Sequence, residues 1–470
     1  MPNSVWVPSP KSSPLYSLAE EPPSVRENDL RFAISHFGHE FVTEAMQYGR
    51  ASPSRFASGI LQDVFEGNDS RLAMSHPPDD KASELATAWA MVMSFPDDLY
   101  IPADWRYITD QLSAATSAGW YYLQGDWFPR KKSNVSITQD ALDRAVKLWS
   151  LTEADNGVEA VRGFIRANQQ QFASRLLQRN AISNKPESER RIRSVFDFSY
   201  SGNIALARLV EPIKSSHAER SHTYILELSD PLSSAAYFQE ELRTYSTIGL
   251  DIKRNDVYVT RWHWSQYADF AISRFNLGRS SNAAISAMVD ALTWDTVTYV
   301  PSGSCFIRRY RHAPSGCCMV RQVESFYTLA ICLRAGLVHW RRTGLFPISL
   351  CGILADNTTL GIYPDVDNSF AQTLDSSSRR YGFQLKGDSL EEKAPLKRHG
   401  EAFDLLGYEI KGGRAYSSPS RILGAWWQAE RHPVLTGWDE YQASRACGYS
   451  QVLQGLNPDM QRIRSLKKSL

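Results

Sequence analysis

The chain is organised around the stretch Ile348-Ser-Leu-Cys-Gly-Ile-Leu-Ala-Asp-Asn-Thr-Thr-Leu-Gly-Ile-Tyr363. Two short runs of β-branched and aliphatic residues flank Ala355-Asp356-Asn357-Thr358, and this pattern predicts two strands. Asp and Asn tolerate the left-handed backbone of a tight turn, so Asp356-Asn357 predicts a β-hairpin. A carboxylate at such a tip could hold a divalent metal, although an ordinary turn residue is the commoner explanation.

The composition is that of an ordinary globular protein with room for several subdomains. The chain has 470 residues, of which 43% are hydrophobic and 22% charged. A net charge of +1 gives no global attraction for nucleic acid, so such binding would need a local basic channel. No signal sequence or membrane span is recognisable, and none of the six cysteines has metal-ligand spacing. We therefore expect an intracellular protein with reduced thiols and no membrane partner.

Periodicity divides the chain into a helical first part and a mixed second part. Residues 1–30 are rich in Pro and Ser, which predicts an extended arm. Residues 30–180 show mainly helical spacing, including Val158 to Leu177. Residues 235–250 also look helical, with Gly249 as the stop, and Val257 to Trp262 reads as a strand.

A basic strand lies in the middle of the chain, at Glu189-Arg-Arg-Ile-Arg-Ser-Val-Phe196. Arg191 and Arg193 alternate with uncharged residues, as on a strand with one charged face. Guanidinium groups pair with phosphates in a bidentate way, so these arginines could line a phosphate channel. A solvated edge strand explains the same pattern.

Two further landmarks follow. Pro314-Ser315-Gly316 is a turn signal, and it leads into a long helical pattern. Backbone N–H groups of such a loop can hold a phosphate or a sugar edge. Ala402 to Ile410 and Gly413 to Tyr416 read as a second hairpin.

The order of these features resembles the palm of an RNA-dependent RNA polymerase, and it is most similar to the partitivirus group of double-stranded RNA viruses. The resemblance spans about residues 185–450. It implies an α+β, right-hand fold of fingers, palm and thumb, with an antiparallel palm sheet packed on helices. The implied divisions are an N-terminal arm and fingers–thumb bridge (1–70), fingers (71–245), palm (246–410, with a fingers segment at about 278–312) and thumb (411–470).

The resemblance also implies the positions of the metal ligands. The first palm motif of the family is Asp-Trp-Ser-x-Phe-Asp, and here the matching frame is His263-Trp-Ser-Gln-Tyr-Ala268, which lacks both aspartates. The family's Gly-Asp-Asp hairpin reads Ala355-Asp356-Asn357, which keeps one carboxylate. Asp269, next to Ala268, is a weak substitute that a bulge could re-aim. Asp251 and Asp256 precede the predicted strand and read as surface residues.

Contacts to nucleotide and RNA carry over in the same way. Arg190, Arg191 and Arg193 correspond to the strand that contacts the incoming phosphates, and Ser315 and Gly316 correspond to the nucleotide-binding loop. The ribose-selecting positions fall at Val320 and Thr328. The Lys that protonates the leaving pyrophosphate in the family aligns with Ser389, and Lys386 or Lys393 could replace it. Tyr408 belongs to the Leu406-Gly407-Tyr408 primer-grip hairpin.

Loss of metal ligands together with the ribose-selecting residues favours a viral polymerase-like pseudoenzyme that binds RNA with impaired or lost nucleotidyl transfer. Its partners would be RNA and either a viral capsid protein or an active polymerase. It would be located in the host cytoplasm or inside virus particles. The first alternative is a divergent but active polymerase of a double-stranded RNA genome, which takes nucleoside triphosphates and Mg²⁺ or Mn²⁺; an inactive chain needs no cofactor. The second is a structural or capsid-associated protein unrelated to polymerases.

Overall fold

The structure is a computed structural model. It describes residues 5–8, 31, 34–35, 38–50, 99–112, 117–124, 126–190, 192–218, 224–226, 242–253, 255–299, 304–307, 312–366, 369–394, 396–397, 403–405, 408–411, 414–416 and 418–427. Its helices are α1 (His39–Gln47), α2 (Trp105–Asp110), α3 (Trp120–Leu123), α4 (Val135–Thr152), α5 (Gly157–Ala167), α6 (Gln169–Phe172), α7 (Tyr200–Ala218), α8 (Asn255–Tyr258), α9 (Arg261–Ser273), α10 (Arg279–Asp290), α11 (Val320–Thr343), α12 (Ser369–Arg380), α13 (Leu390–Lys393) and α14 (Pro419–Trp427).

The strands form three small sheets. They are β1 (Val5–Pro8), β2 (Ser174–Asn180), β3 (Ile192–Asp197), β4 (Tyr224–Leu226), β5 (Ser246–Asp251), β6 (Val297–Tyr299), β7 (Ser304–Ile307), β8 (Ile348–Leu354), β9 (Asn357–Ile362), β10 (Leu396–Lys397), β11 (Phe403–Leu405), β12 (Tyr408–Lys411) and β13 (Arg414–Tyr416). The sheet orders are β1-β7-β6-β2-β3, β10-β5-β9-β8-β4 and β11-β12-β13. The α+β class expected from the sequence is confirmed.

The predicted hairpin is confirmed as β8 and β9, at the centre of the second sheet, but its two turn residues are Ala355-Asp356 and not Asp356-Asn357, because Asn357 pairs with Leu354 as the first residue of β9. Strand β9 pairs on its other side with β5, antiparallel, from Ser246 opposite Ile362 to Asp251 opposite Asn357. The prediction of a helix over 235–250 is therefore wrong for its last residues, because Ser246–Asp251 is a strand. Gly249 lies inside that strand and does not end a helix.

The predicted strand Val257–Trp262 is also wrong. The chain forms α8 there and then begins α9 at Arg261. The physical reason is a capping box: the Thr260 side chain accepts a hydrogen bond from the His263 backbone N–H, and the His263 ring accepts one from the Thr260 N–H. Two of the free N–H groups of the helix start are thereby satisfied.

The basic strand is confirmed as β3, which pairs antiparallel with β2. The helical pattern predicted up to Leu177 ends earlier, at Phe172, and Ser174 begins β2. At the N-terminus, Val5–Pro8 of the predicted extended arm pairs with β7. The second predicted hairpin has three strands instead of two, because Phe403–Leu405 pairs with β12.

A single large apolar cluster joins the helices to the second sheet. Helix α11 lies at its centre, and Val323, Phe326 and Ala330 of its predicted apolar face are all buried. Cys317, Cys318, Cys332 and Cys351 are free thiols, and all of these except Cys318 are buried. Among the described helices, none is long and apolar enough to span a membrane.

Candidate active site

The tip of the β8–β9 hairpin is held by helix α11. Ala355 and Asp356 form the turn, and Ala355 has a left-handed backbone with φ of 54°. The Ser325 hydroxyl accepts a hydrogen bond from the Ala355 N–H at 3.0 Å, and the Thr328 hydroxyl donates one to the Ala355 carbonyl at 2.8 Å. These two bonds fix the turn and, with it, the Asp356 carboxylate. Thr328, predicted to select ribose, here supports the hairpin.

A second carboxylate lies beside the tip, on the neighbouring strand. Asp251 is the last residue of β5 and is in register with Asn357, the first residue of β9. Because Asp356 directly precedes Asn357, the two aspartates belong to adjacent strand ends at one edge of the sheet. The Asp251 side chain is 41% exposed, as expected of a surface residue, and what the sequence did not predict is its place beside the tip. A signal for it exists in the sequence: a short β-branched run, Ser246-Thr-Ile-Gly-Leu-Asp251, ends in a carboxylate, and a second follows at Asp256.

The electrostatics of the tip reflect this crowding of carboxylates. Burial and the nearby charge of Asp251 raise the pKa of Asp356 to about 6; Asp256 adds to the rise, and Arg193 opposes it. The Asn357 amide donates a hydrogen bond to Asp356 Oδ1 at 3.0 Å, which orients the carboxylate. Asp356 is thus a desolvated carboxylate that gains from any positive charge brought to the tip.

Glu324, in the first turns of α11, is a third acidic group near the tip. Burial raises its pKa well above the ordinary value, the charges of Asp256 and Asp356 add to the rise, and Arg321 opposes it. Its position follows from the chain, because Ser325 is the next residue and holds the hairpin turn. Glu324 does not stand out in the sequence, because a single Glu near a helix start is a common stabilising residue.

Two arginines project from the β2–β3 hairpin. Arg193 opposes Arg179 directly in the antiparallel pair, so both side chains lie on one face, and Arg193 is exposed. The Arg193 charge acts on Asp356. Like charges placed opposite each other on a sheet repel, and an anion between them removes that cost. Arg179 was missed because it precedes the basic run and only strand pairing brings it beside Arg193.

His263 and Ala268 lie on helix α9 and not on a strand paired with the hairpin, which corrects the placement of the first palm motif. Both are buried on α9. The His263 Nε2 lies 2.7 Å from the Tyr381 carbonyl oxygen, to which it donates, and burial lowers the pKa of the ring to about 4. His263 is therefore a neutral core histidine that joins α9 to the segment after α12.

Asp269 faces α10. Its Oδ1 accepts a hydrogen bond from the Ser286 hydroxyl at 3.0 Å, and burial raises its pKa. It lines a cavity of about 520 Å³ together with Arg162 and Asp290. The bulge that would have turned Asp269 toward the metal hairpin does not exist, because the residue lies within a regular helix.

The Pro-Ser-Gly loop joins α11 to the strand that carries Arg193. The Ser315 hydroxyl accepts a hydrogen bond from the Phe196 N–H at 3.1 Å. A Cβ on Gly316 would lie 2.0 Å from the Phe196 carbonyl oxygen, so this close backbone contact requires glycine. Neighbouring Ala313 donates its N–H to the Asp256 carbonyl at 2.7 Å. Ser315 and Gly316, predicted to bind nucleotide, here position β3 relative to the carboxylates.

The remaining predicted contacts fall in different places. Lys386 forms an ion pair with Asp251, and its N–H donates to the Asp251 carbonyl at 2.8 Å. Lys393 instead pairs with Asp375, 3.5 Å away. Arg190 binds backbone carbonyls of the N-terminal segment. Tyr408 begins β12, and Arg191 lies outside the described residues.

The donor atoms at the tip suit a hard divalent cation. Asp251 and Asp356 supply carboxylate oxygens, which Mg²⁺ and Mn²⁺ prefer. Among the residues that the structure describes, no group of three or more His, Cys, Asp or Glu side chains is arranged to hold a metal. Mg²⁺ is commonly bound by one or two carboxylates together with substrate phosphates and water. The residues therefore fit a cation shared between the protein and a triphosphate.

Among solved structures, a viral enzyme shares this architecture. The chain matches the crystal structure of the insertion loop deletion mutant of the RNA-dependent RNA polymerase of a human picobirnavirus, with a TM-score of 0.63. The match covers 93% of this chain and 82% of that chain, at 14% sequence identity. This chain has the fold of a viral RNA-dependent RNA polymerase. No family model and no curated protein sequence matches it.

The fold likeness confirms the polymerase-like expectation at the level of architecture. The second alternative assumed no relation in fold to polymerases, and the likeness disagrees with that part of it. It also covers nearly the whole chain, including the part before residue 185 where the sequence showed no resemblance. At this identity the likeness shows the fold alone, and any inference about function starts from the residues at the hairpin tip.

Proposed function

We propose that the chain is an RNA-directed RNA polymerase that performs nucleotidyl transfer with Asp251 and Asp356 as its catalytic carboxylates. The observation that carries the proposal is the pairing of β5 with β9, which brings Asp251 beside the hairpin tip. The prediction of lost catalysis rested in part on His263 and Ala268 as the positions of missing aspartates. Since those residues are buried on α9, the absence of aspartates at those two positions is no reason to expect inactivity.

Each group at the tip has a role that follows from its charge. Asp251 and Asp356 would hold Mg²⁺ or Mn²⁺, which when bound supplies positive charge to the attacking 3′-hydroxyl and the triphosphate. Arg193 and Arg179 pair with the phosphates of the incoming nucleotide, because they lie on one face and Arg193 acts on Asp356. Lys386, already beside Asp251, is placed to give a proton to the leaving pyrophosphate.

The wider assignments are part of the same proposal. Strands β5, β8, β9 and β10 of the second sheet form the palm with α11, within 246–410. The β2–β3 hairpin belongs to fingers within 71–245, and α14 belongs to the thumb within 411–470. Residues 1–70 form the fingers–thumb bridge, as the sequence suggested. The chain acts on viral RNA in a partitivirus-like, double-stranded RNA virus, in the host cytoplasm or within particles, with a capsid protein as neighbour.

The second candidate is an RNA-binding polymerase relative with weak or absent catalysis. One observation favours it: Asn357 is an amide at the hairpin position where the resemblance implies a second carboxylate. The hairpin thus contributes a single negative charge. Such a protein would act through RNA or beside an active polymerase.

Template-directed synthesis by the purified chain separates the two candidates. The assay follows extension of a primed RNA template with labelled nucleotides in Mg²⁺ or Mn²⁺. The first candidate predicts synthesis that is lost in Asp251→Asn and Asp356→Asn and kept in Asp365→Asn, a matched change at an exposed residue after β9. Salt-dependent RNA binding without synthesis supports the second candidate. No binding and no synthesis would reject both.

A further inference from the structure

Residues 38–50, the N-terminal segment, contact the loop between β2 and β3. The segment consists of Gly38, α1 and the three residues after it. Gly49 and Ser183 exchange two backbone hydrogen bonds, of 2.8 Å from the Gly49 N–H and 2.9 Å from the Ser183 N–H. This short antiparallel bridge attaches the end of the segment to the loop that leads into β3.

Arg190 completes this attachment with its whole guanidinium group. Its Nε donates to the Lys185 carbonyl at 2.9 Å, Nη1 to the Arg50 carbonyl at 3.1 Å, and Nη2 to the Gln47 carbonyl at 3.3 Å. The Gln47 carbonyl is at the last turn of α1, where helix carbonyls lack partners within the helix. Three of the five N–H donors of the guanidinium are thus used to hold backbone carbonyls.

Gly49 leaves the space that the guanidinium occupies. A Cβ at this position would lie 2.1 Å from Arg190 Nη1 and 2.3 Å from Cζ. The atoms in the way are the far end of a flexible side chain, so a methyl group would displace the guanidinium without moving the backbone. Gly49 has no left-handed φ, so alanine is otherwise acceptable there.

On its other side the segment packs against α14. A Cβ on Gly424 would lie 2.7 Å from the Tyr48 Cβ and 2.9 Å from the Ala45 carbonyl oxygen. The backbone of α14 at Gly424 therefore lies in close contact with the N-terminal segment. The N-terminal segment is held between α14 and the β2–β3 loop, and it fixes one relative to the other.

We propose that Arg190 is a positioning residue, which by binding the N-terminal segment holds β3, and with it Arg193, in place. Arg193 lies three residues beyond Arg190, on the strand that the loop enters; its side chain is exposed, and its charge acts on Asp356. Release of the segment leaves the loop end of β3 without its attachment. Arg193 then becomes less ordered and binds the triphosphate less well, while the positions of the Asp251 and Asp356 carboxylates do not change. The kinetic part of this proposal rests on the proposed function.

The test is a double-mutant cycle of Arg190→Ala and Gly49→Ala, with Arg190→Lys and the exposed Arg106→Ala as comparison variants. Each single change is expected to raise the KM for the incoming nucleotide about tenfold and to change kcat by less than about twofold, because one charged anchor is loosened. The double variant should equal Arg190→Ala, since the methyl group added at position 49 then meets empty space. Arg190→Lys should not restore the wild-type KM, because an ammonium group has the charge but not the planar set of donors of a guanidinium. Arg106→Ala should have the same KM and kcat as wild type.

Amide hydrogen exchange of residues 38–50 gives a readout that needs no catalysis. Faster exchange in Arg190→Ala and Gly49→Ala, with no added effect in the double variant, is the expected result. Unchanged exchange overturns the attachment itself. Faster exchange with an unchanged KM overturns the positioning of Arg193, and full rescue by Arg190→Lys would indicate a direct phosphate contact instead. If wild type shows no synthesis, the proposed function fails, and exchange still decides whether Arg190 attaches the segment.

Discussion

Replacing Asp356 with Asn should abolish synthesis and also make the folded protein more stable. The pKa of Asp356 rises from the ordinary 3.8 to about 6 on folding, chiefly through burial and the charge of Asp251. The folded chain therefore holds this proton more tightly than the unfolded chain, and the free energy of unfolding falls as pH rises between these two values. The rise corresponds to about 3 kcal/mol of destabilisation above pH 7, at about 1.36 kcal/mol per pH unit. Asn cannot ionise and escapes this cost.

Urea unfolding followed by tryptophan fluorescence measures the effect. At pH 7.5 without divalent metal, Asp356→Asn should exceed wild type by about 1–3 kcal/mol, and the difference should shrink to near zero by pH 4. Added Mg²⁺ or Mn²⁺ should stabilise wild type and leave Asp356→Asn unchanged, since a cation that binds only the native state shifts the equilibrium toward it. If Asp356→Asn is less stable than wild type at pH 7.5, or if the difference in free energy of unfolding does not depend on pH, the Asp356 carboxylate is not destabilised by burial and the charge of Asp251.

Four further substitutions test three separate parts of the site. His263→Phe keeps the ring volume but leaves the buried Tyr381 carbonyl without its donor, so it should cost about 1–3 kcal/mol in urea unfolding while folded molecules synthesise RNA at about the wild-type rate; a selective loss of synthesis would contradict a core role. Arg193→Ala and Arg179→Ala should each raise the nucleotide KM about tenfold in steady-state kinetics, and unchanged KM values would remove the arginine pair from the phosphate site. Ala355→Gly relieves the left-handed φ of 54° and should raise the urea midpoint by the equivalent of about 0.5–1 kcal/mol, unless the turn is held in another conformation.

The features that the sequence predicted correctly have local signatures. The β8–β9 hairpin combines two β-branched runs with a turn pair, and both signals lie within 16 residues. The basic strand alternates over a few positions, and the apolar face of α11 repeats along one helix. Each pattern is visible without knowing what lies opposite in the fold.

The metal-ligand position was missed because it depends on pairing between distant segments. Strand β5 is short and contains Gly249, so its local pattern is weak, and only its register with β9 makes Asp251 a partner of the hairpin tip. The aromatic frame after His263 was misleading for the opposite reason. Its large residues fill the core around α9, and a histidine closes the capping box in place of the usual Glu or Gln, which hid the helix start.

The single-turnover rate of nucleotide incorporation, compared between Asp251→Asn and His263→Phe, tests the central claim most directly. Both proteins are first shown to be folded and to bind primed RNA. The account predicts that Asp251→Asn loses at least about a hundredfold in rate, the scale of removing one key electrostatic group, while His263→Phe stays within about twofold of wild type. A wild-type rate in Asp251→Asn together with loss of synthesis in His263→Phe would contradict it.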